Sequence, residues 1–499
     1  MGAIEIANGE NEKPKLNKYA LGCAIVASLI NSIFGYDTGV LSGANLFIKE
    51  DLKLNDTQIQ VLAGTLNLAA LVGSAMSGRT SDMIGRRKTI VLASLIFMVG
   101  AILMGYSPNF IVLMVGRCIA GVGVGFSLMI APVYSTEISS STHRGALSSL
   151  PELCISIGIL LGYISNVAFS KLPLKLGWRL MMGVAAIPSI ALAFGILQMP
   201  ESPRWLVMQG RLKDAEDVLF LVCDSEQEAI SRFRDLKAAV GIPEDSKEEV
   251  VIPPKKTASG AGVWKELFVR PTPTVRRIML AAWGIHFFQH LTGIEGVVLY
   301  SPRIFKKAGI ESKQKLLLAT VGVGITKTIF ILIATFKLDK FGRRRLMLTS
   351  VSGVTTALLV LACTLTVVHF STKPLLWALC VSIISTYTYV AFFSIGLSTV
   401  TWVYTSEIFP LRLRAQGASV GVAINRAVTA TIAMTFISIY KALTIGGAFF
   451  MFAGFSALAG VFFYFFMPET KGMALEEIEL LFTPGGSKAK QQKTEEVGV

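Results

Sequence analysis

DMIGRR, residues 82–87, stands between two apolar runs, and DKFGRR, residues 339–344, stands between two more in the second half of the chain. Other short motifs recur in the same order. Pro132-Val-Tyr134-Ser-Thr-Glu137, with Arg144 seven residues on, is answered by Trp402-Val-Tyr404-Thr-Ser-Glu407, with Arg414 seven residues on. Pro200-Glu201-Ser-Pro203-Arg204 is answered by Pro468-Glu469-Thr-Lys471-Gly472. An excess of Lys and Arg in cytoplasmic loops explains the arginines of any one such turn. It does not explain the repeated Asp, Gly and Glu at matched spacing, so the chain reads as a duplication.

Glycine permits a tight turn between helices, and carboxylates facing arginines at helix ends make charge-assisted pairs. A cytoplasmic gate is therefore expected from Asp82, Gly85, Arg86, Arg87, Glu137, Arg144, Glu201 and Arg204 in the first half. Asp339, Gly342, Arg343, Arg344, Glu407, Arg414 and Glu469 form its counterpart in the second. The two sets are expected to lock the halves together across the inner mouth.

Around these motifs the chain is strongly apolar: of 499 residues, 52% are hydrophobic and only 16% are charged, more apolar surface than a soluble fold can bury. Crossing a bilayer takes about 20 apolar residues per helix. Twelve runs of that length lie near 19–43, 59–78, 89–107, 110–133, 147–169, 178–198, 277–301, 316–338, 346–369, 374–404, 415–439 and 446–467. The expected fold is an all-α membrane protein of twelve transmembrane helices in two pseudo-symmetric six-helix bundles. Its parts are an N-terminal tail (1–18), a first bundle (19–198), a linker with short helices (199–276), a second bundle (277–467) and a C-terminal tail (468–499).

The net charge of +14 does not signal nucleic acid, because the basic residues fall between apolar runs. GRRK (85–88), the 199–276 stretch, DKFGRRR (339–345) and LRLR (411–414) share one side if the helices alternate, which makes that side, and both tails, cytoplasmic. SPRIFKKAGIESKQK (301–315) breaks the rule, placing five Lys and Arg outside. Residues 1–18 are polar and carry no cleavable signal pattern. The six cysteines lack metal spacing and read as small packing residues, and the Asn55-Asp56-Thr57 sequon sits in so short a loop that it is expected to be unmodified.

The motifs together resemble those of a sugar porter of the major facilitator superfamily. The residues that carry the resemblance are Gly35-Tyr36-Asp37-Thr38-Gly39, the Asp82–Arg87 turn, Gly116-Arg117 with Gly121, Gly123 and Gly125, Pro200–Trp205, Gln289 with Gly293-Ile294, Trp402–Pro410 and Pro468–Gly472. Within that family the sequence is most similar to plant polyol and monosaccharide transporters, through LGYISN (161–166), MPESPRWLVMQG (199–210), VVLYSPRIF (297–305) and GITKTIF (324–330). The resemblance implies alternating access around a site at the bilayer midplane. It also implies short cytoplasmic helices, and GRLKDAEDVLFLV (210–222) has the amphipathic period of one.

Asp37 lies past the middle of its apolar run, where an ionised carboxylate costs roughly 2.5–3.5 kcal/mol on insertion scales. Arg117, inside the fourth run, is the opposite charge available to it, and proton-coupled sugar porters carry Asp and Arg at these two places. Asp37 with Arg117 is the expected proton-coupling pair. The nearby Gly121, Gly123 and Gly125 follow no strand and read as helix packing.

A polyol or sugar needs hydrogen-bonding side chains and an aromatic platform. By the resemblance, Phe34, Gln289, His290, Glu295, Trp402 and Asn425 stand at substrate positions. Departures from the family pattern put Ile159 where a hexose-binding Gln is usual, Lys327 for Asn, Arg426 for an aromatic and Ser398-Thr399 for Gly-Pro. Glu295, Lys327 and Arg426 read either as substrate ligands or as a structural charge network. His286 and His290 are spaced for a metal, yet without carboxylate or cysteine company no metal is expected.

The resulting expectation is a plasma-membrane, proton-coupled symporter importing polyols and monosaccharides, monomeric, embedded in lipid, with the proton as coupling ion and no cofactor. An uncoupled facilitator and a non-transporting sugar sensor are the alternatives. The chain carries no His-Glu-x-x-His, Walker loop or nucleophile elbow, so it is not read as an enzyme.

Overall fold

The computed structural model of the protein describes residues 17–139, 144–243, 264, 266–371, 375–410, 413–471, 473, 478 and 481–483, with side chains for all of these except 144–148, 239, 339, 340 and 415. Among them every regular element is a helix. The first half contains α1 (Lys18–Asp51), α2 (Asp56–Ile84), α3 (Arg86–Tyr106), α4 (Phe110–Ile138), α5 (Arg144–Phe169), α6 (Leu174–Gly183) and α7 (Ala186–Leu197). Three short helices follow: α8 (Pro203–Met208), α9 (Leu212–Val222) and α10 (Glu226–Val240). The second half contains α11 (Pro273–Leu291), α12 (Ile294–Ala308), α13 (Lys313–Phe341), α14 (Arg343–Phe370), α15 (Leu376–Phe393), a π-helical segment (Ser394–Ser398), α16 (Thr399–Ile408) and α17 (Arg414–Phe466).

Among the described residues, ten helical stretches are long and apolar enough to cross a membrane by themselves. The α17 stretch holds two crossings, because Thr444 at φ 67°, ψ 165° breaks it into separate rods. The seventh apolar run makes one more crossing in two pieces: Gly293, at φ 87°, separates α11 from α12. Twelve crossings result, six in each half, as the apolar runs require. α9 covers the amphipathic segment of the linker, and Asn17 ties the start of α1 to its end by donating from Nδ2 to the carbonyls of Leu221 (3.0 Å) and Cys223 (2.9 Å).

The duplication is visible atom by atom. Gly85 joins α2 to α3 at φ 98°, ψ 163°, and Gly342 joins α13 to α14 at φ 87°, ψ 153°, a region that only glycine occupies without strain. In the first half Glu201 accepts the backbone N–H of Arg86 (2.9 Å), Glu137 pairs with the Arg86 guanidinium (3.0 Å), and the Tyr134 hydroxyl donates to Pro200 O (2.8 Å). In the second, Glu469 accepts the N–H of Arg343 (2.8 Å), Glu407 pairs with the Arg343 guanidinium (2.7 Å), and the Tyr404 hydroxyl donates to Pro468 O (3.2 Å). These bonds tie helices within one half. They differ from the expected lock across the inner mouth, because each arginine lies within reach of a carboxylate on the next crossing of its own bundle. Arg204 is exposed, Arg414 donates to Phe409 O at 3.3 Å, and the side chains of Arg144 and Asp339 lie outside the described residues.

The described cross-half ion pairs lie on the opposite side of the membrane. Asp56 of α2 meets Arg303 of α12 at 3.1 Å and Lys441 of α17 at 2.5 Å, and also Lys49 of its own half at 2.6 Å. Glu50 meets Lys313 at 2.7 Å, and Gln60 meets Ser438 at 3.1 Å. The basic 301–315 loop that violates the charge rule thus supplies counter-ions to an acidic rim on the first half. Next to it, the Asn55 side chain caps α2, accepting from Gln58 N–H at 2.8 Å while Gln58 accepts from Asn55 N–H at 2.9 Å.

Inside the first half, α1 and α5 approach backbone to backbone. A Cβ on Gly35 or Gly39 would lie 2.0 or 2.3 Å from the carbonyl oxygens of Ile155 and Ile159, and one on Gly158 would lie 2.0 Å from Ser32 O. Small residues on both helices make that approach possible. Gly121 and Gly125 serve the α4–α2 contact in the same way, with a Cβ 2.5 Å from Leu66 O and 2.2 Å from Ala70 O.

Candidate transport site

Between the halves lies a narrow cavity lined by side chains from both. The first half lines it with Phe34 and Thr38 of α1, Leu128 of α4, and Glu152, Ile155 and Ile159 of α5. From the second half come Gln289 and His290 of α11, Ile294, Glu295 and Val298 of α12, Lys327 of α13, Phe393, Ser398, Trp402 and Arg426. Eight of the nine residues expected to touch substrate, including Ile159, therefore meet at one place. The ninth, Asn425, stands behind the lining and donates from Nδ2 to Gln289 Oε1 at 2.7 Å.

The break at Gly293 builds the polar end of this site. A Cβ there would lie 2.7 Å from the ring of Phe452, so the chain turns tightly against α17. His290 then falls in the last turn of α11 and Glu295 in the first turn of α12, with His290 Nδ1 3.4 Å from Glu295 Oε1. An acidic group at a helix N-terminus and a basic one at a C-terminus both sit favourably in the helix dipoles.

Arg426 joins the two halves. Its Nη2 donates to Asn425 Oδ1 at 2.5 Å, its Nη1 donates to Asn67 Oδ1 of α2 at 3.2 Å, and its guanidinium lies 5.5 Å from the ring centre of Phe34. The chain Gln289, Asn425, Arg426, Asn67 is thus a continuous hydrogen-bonded link from α11 to α2.

The π-helical segment widens the backbone just before Trp402. Ser350 repairs it, donating to Phe392 O at 2.6 Å and accepting from Leu397 N–H at 3.1 Å. His286 stands behind the indole, edge-on at 5.2 Å between ring centres, and its Nε2 is 3.2 Å from Thr405 Oγ1. His286 and His290 thus serve different partners, and no group of three or more His, Cys, Asp or Glu gathers among the described residues.

Among the charged residues of the lining, Glu152 is the one that sequence reading passed over. Ser398 Oγ donates to its carboxylate across the gap between halves. The signal was available, since a carboxylate inside the fifth apolar run is as costly there as Asp37 is in the first.

Asp37 and Arg117 are both 2% exposed in their side chains and pair at 2.5 Å, with Arg117 Nε donating to Leu62 O at 3.3 Å. Neither lines the cavity. Asp37 leaves α1 on the side facing α4, whereas its neighbours Phe34 and Thr38 face the cavity.

The family model described as Sugar (and other) transporter matches residues 23–482. Among curated proteins the chain is 64% identical to "Probable polyol transporter 3" of Arabidopsis thaliana over 487 residues, covering 98% of this chain and 96% of that one. It is 57% identical to "Polyol transporter 5" of the same plant, covering 94% of this chain and 87% of that one. Among solved structures it is similar to the proton:xylose symporter XylE bound to 6-bromo-6-deoxy-D-glucose, with a TM-score of 0.76, 26% identity and coverage of 93% of this chain and 99% of that one. Inward-open XylE from E. coli gives a TM-score of 0.73 at 26% identity, covering 93% of this chain and 100% of that one. With a matched model running through both six-helix halves, the chain belongs to the Sugar (and other) transporter family of the major facilitator superfamily.

Proposed function

We propose that the protein is a monomeric proton-coupled symporter that imports polyols and monosaccharides across the plasma membrane by alternating access, with both termini cytoplasmic. The names of its plant relatives and of XylE support the substrate class and the coupling. The cavity suits a neutral polyhydroxyl compound. Glu152 and Glu295 balance Lys327 and Arg426, while Trp402 and Phe34 offer apolar surface for C–H faces.

The observation that carries the reading is the buried Asp37–Arg117 pair, whose Asp37 lies on the same helix as the cavity-lining Phe34 and Thr38. A proton on Asp37 removes the charge that holds Arg117. α1 is then released from α4 and α2, and Phe34 and Thr38 move with it, so proton occupancy and the shape of the substrate site change together. The driving force is the proton gradient, about 2.3 kcal/mol per proton for each 100 mV plus the pH term. The proton is the coupling ion, and no metal or organic cofactor has a step to perform.

Uptake of labelled sorbitol into a transport-deficient cell, with competition by linear polyols and cyclic sugars at pH 5 and pH 7, tests the proposal. Wild type is expected to work faster at pH 5, and Asp37→Asn to lose both the pH dependence and accumulation above equilibrium. Uptake by wild type that does not depend on pH would leave an uncoupled facilitator, and no uptake of any panel member would leave a sensor.

A further inference from the structure

The cavity-lining face of α1 continues beyond the cavity in both directions. Asn31, Thr38 and Asn45 are spaced by seven residues, two helical turns less about 20°, so the three share one stripe of the helix. Thr38 lines the cavity, and Phe34 lies one turn from it on the same face. Asn31 therefore stands about 10 Å from Thr38 toward the arginine motifs, and Asn45 about 10 Å from it toward the Asp56 side.

Both amides are 1% exposed. Neither the Nδ2 nor the Oδ1 of either has a hydrogen-bond partner. Ser28 and Ser42, each one turn before an Asn, are buried with unpartnered hydroxyls as well. Leaving a buried polar group unsatisfied forfeits its bonds to water for nothing in return, and a leucine of nearly the same shape would avoid that loss at either Asn. Two orphaned amides on one helical stripe, centred on a residue of the cavity wall, point to a partner that is present only in other stages of the cycle. α1 packs across the gap against α12 of the opposite half, so when the halves part on one side the stripe is uncovered there.

We propose that Asn31 and Asn45 form two flanking subsites for the hydroxyl groups of the polyol, Asn45 on the Asp56 side and Asn31 on the side of the arginine motifs. This rests on the polyol-transport reading above. A carboxamide offers a donor and an acceptor together, the same pair that two adjacent hydroxyls present, so each Asn can exchange two bonds with a passing polyol. Ser28 and Ser42 extend each subsite by one hydroxyl. The substrate then travels along α1 from amide to cavity to amide without losing all its hydrogen bonds at once.

The test is zero-trans uptake and efflux of labelled sorbitol, in cells expressing the full chain, for wild type, Asn31→Leu and Asn45→Leu. Asn45→Leu is expected to raise the KM for sorbitol presented from the Asp56 side roughly fivefold or more, with the KM from the motif side little changed; Asn31→Leu is expected to do the reverse. Both purified variants are expected to melt at or above the wild-type temperature, because an orphaned polar group has been replaced by an apolar one. Wild-type KM values in both directions for both variants would overturn the proposal, as would equal shifts on both sides, which mark a general disturbance of packing. Should wild type itself move none of the polyols or sugars, the transport reading fails and this inference fails with it, an outcome visible in wild type alone.

Discussion

Arg303 of α12 reaches Asp56 of α2 at 3.1 Å, joining the two halves on the side opposite the arginine motifs. Lys441, from a second helix of the same half, reaches the other oxygen of that carboxylate at 2.5 Å. Asp56→Asn removes the charge common to both cross-half pairs. Partly exposed pairs contribute about 0.2–1 kcal/mol each, so the balance is expected to move by roughly fivefold toward the state open on this side. A cysteine at Ser438, opposite Gln60, introduced after replacing the exposed Cys118, Cys363 and Cys380, should react faster with an impermeant thiol reagent when combined with Asp56→Asn. An unchanged rate would deny Asp56 a part in closure.

At the motif turns, a Cβ on Gly342 would lie 2.7 Å from Glu469 Oε2, at a backbone conformation that L side chains avoid. Gly342→Ala is expected to cost about 1–3 kcal/mol and to displace Glu469 from the N–H groups of Arg343 and Arg344. Glu469→Ala removes the same bonds, so the double variant should be destabilised by clearly less than the sum. Thermal unfolding in detergent reads this directly, and strict additivity would show that the turn and the carboxylate act separately.

Glu152 and Glu295 face the cavity from opposite halves. Hydrogen bonds to a charged group contribute about 1.5–3 kcal/mol, so Glu152→Gln and Glu295→Gln are each expected to raise KM for a polyol by roughly tenfold or more. A Glu295→Gln protein with unchanged affinity and selectivity would assign that carboxylate to the structural charge network alone.

Arg426→Lys keeps the charge but loses the planar fork that holds Asn425 and Asn67 together. Transport is expected to fall about tenfold, since breaking such buried bonds costs about 1.5–3 kcal/mol. Arg426→Leu should be worse, because it also leaves the two cavity carboxylates facing Lys327 alone. Equal activity of the two variants in the sorbitol assay would show that the charge, and not the fork, carries the role.

Much of this fold was legible without coordinates. The length of each apolar run is set by the bilayer and by the need to satisfy every backbone N–H and C=O within the helix, so the crossings can be found one at a time. Even the two departures from simple counting have local marks, Gly293 in the seventh run and the short Lys441–Gly447 stretch between the last two. The Asp37–Arg117 pair was legible for a related reason, since two opposite charges buried in apolar runs, the first and the fourth, have few other ways to be satisfied.

Sequence alone thus determined the twelve crossings and their duplication, because run length, glycine turns and repeated motifs are local properties of the chain, while the resemblance to sugar porters pointed to eight of the sixteen residues that line the cavity. Asp37 and Arg117 apart, tertiary structure decided which partners the charges named here take. It placed Glu137 and Glu407 on arginines of their own halves, set Asp56 against Arg303 across the gap, brought Glu152 to the cavity and linked Arg426 to Asn67. Those choices depend on which helices pack side by side and at what rotation, and that is settled by close contacts between segments far apart in sequence, such as the glycine faces of α1 and α5.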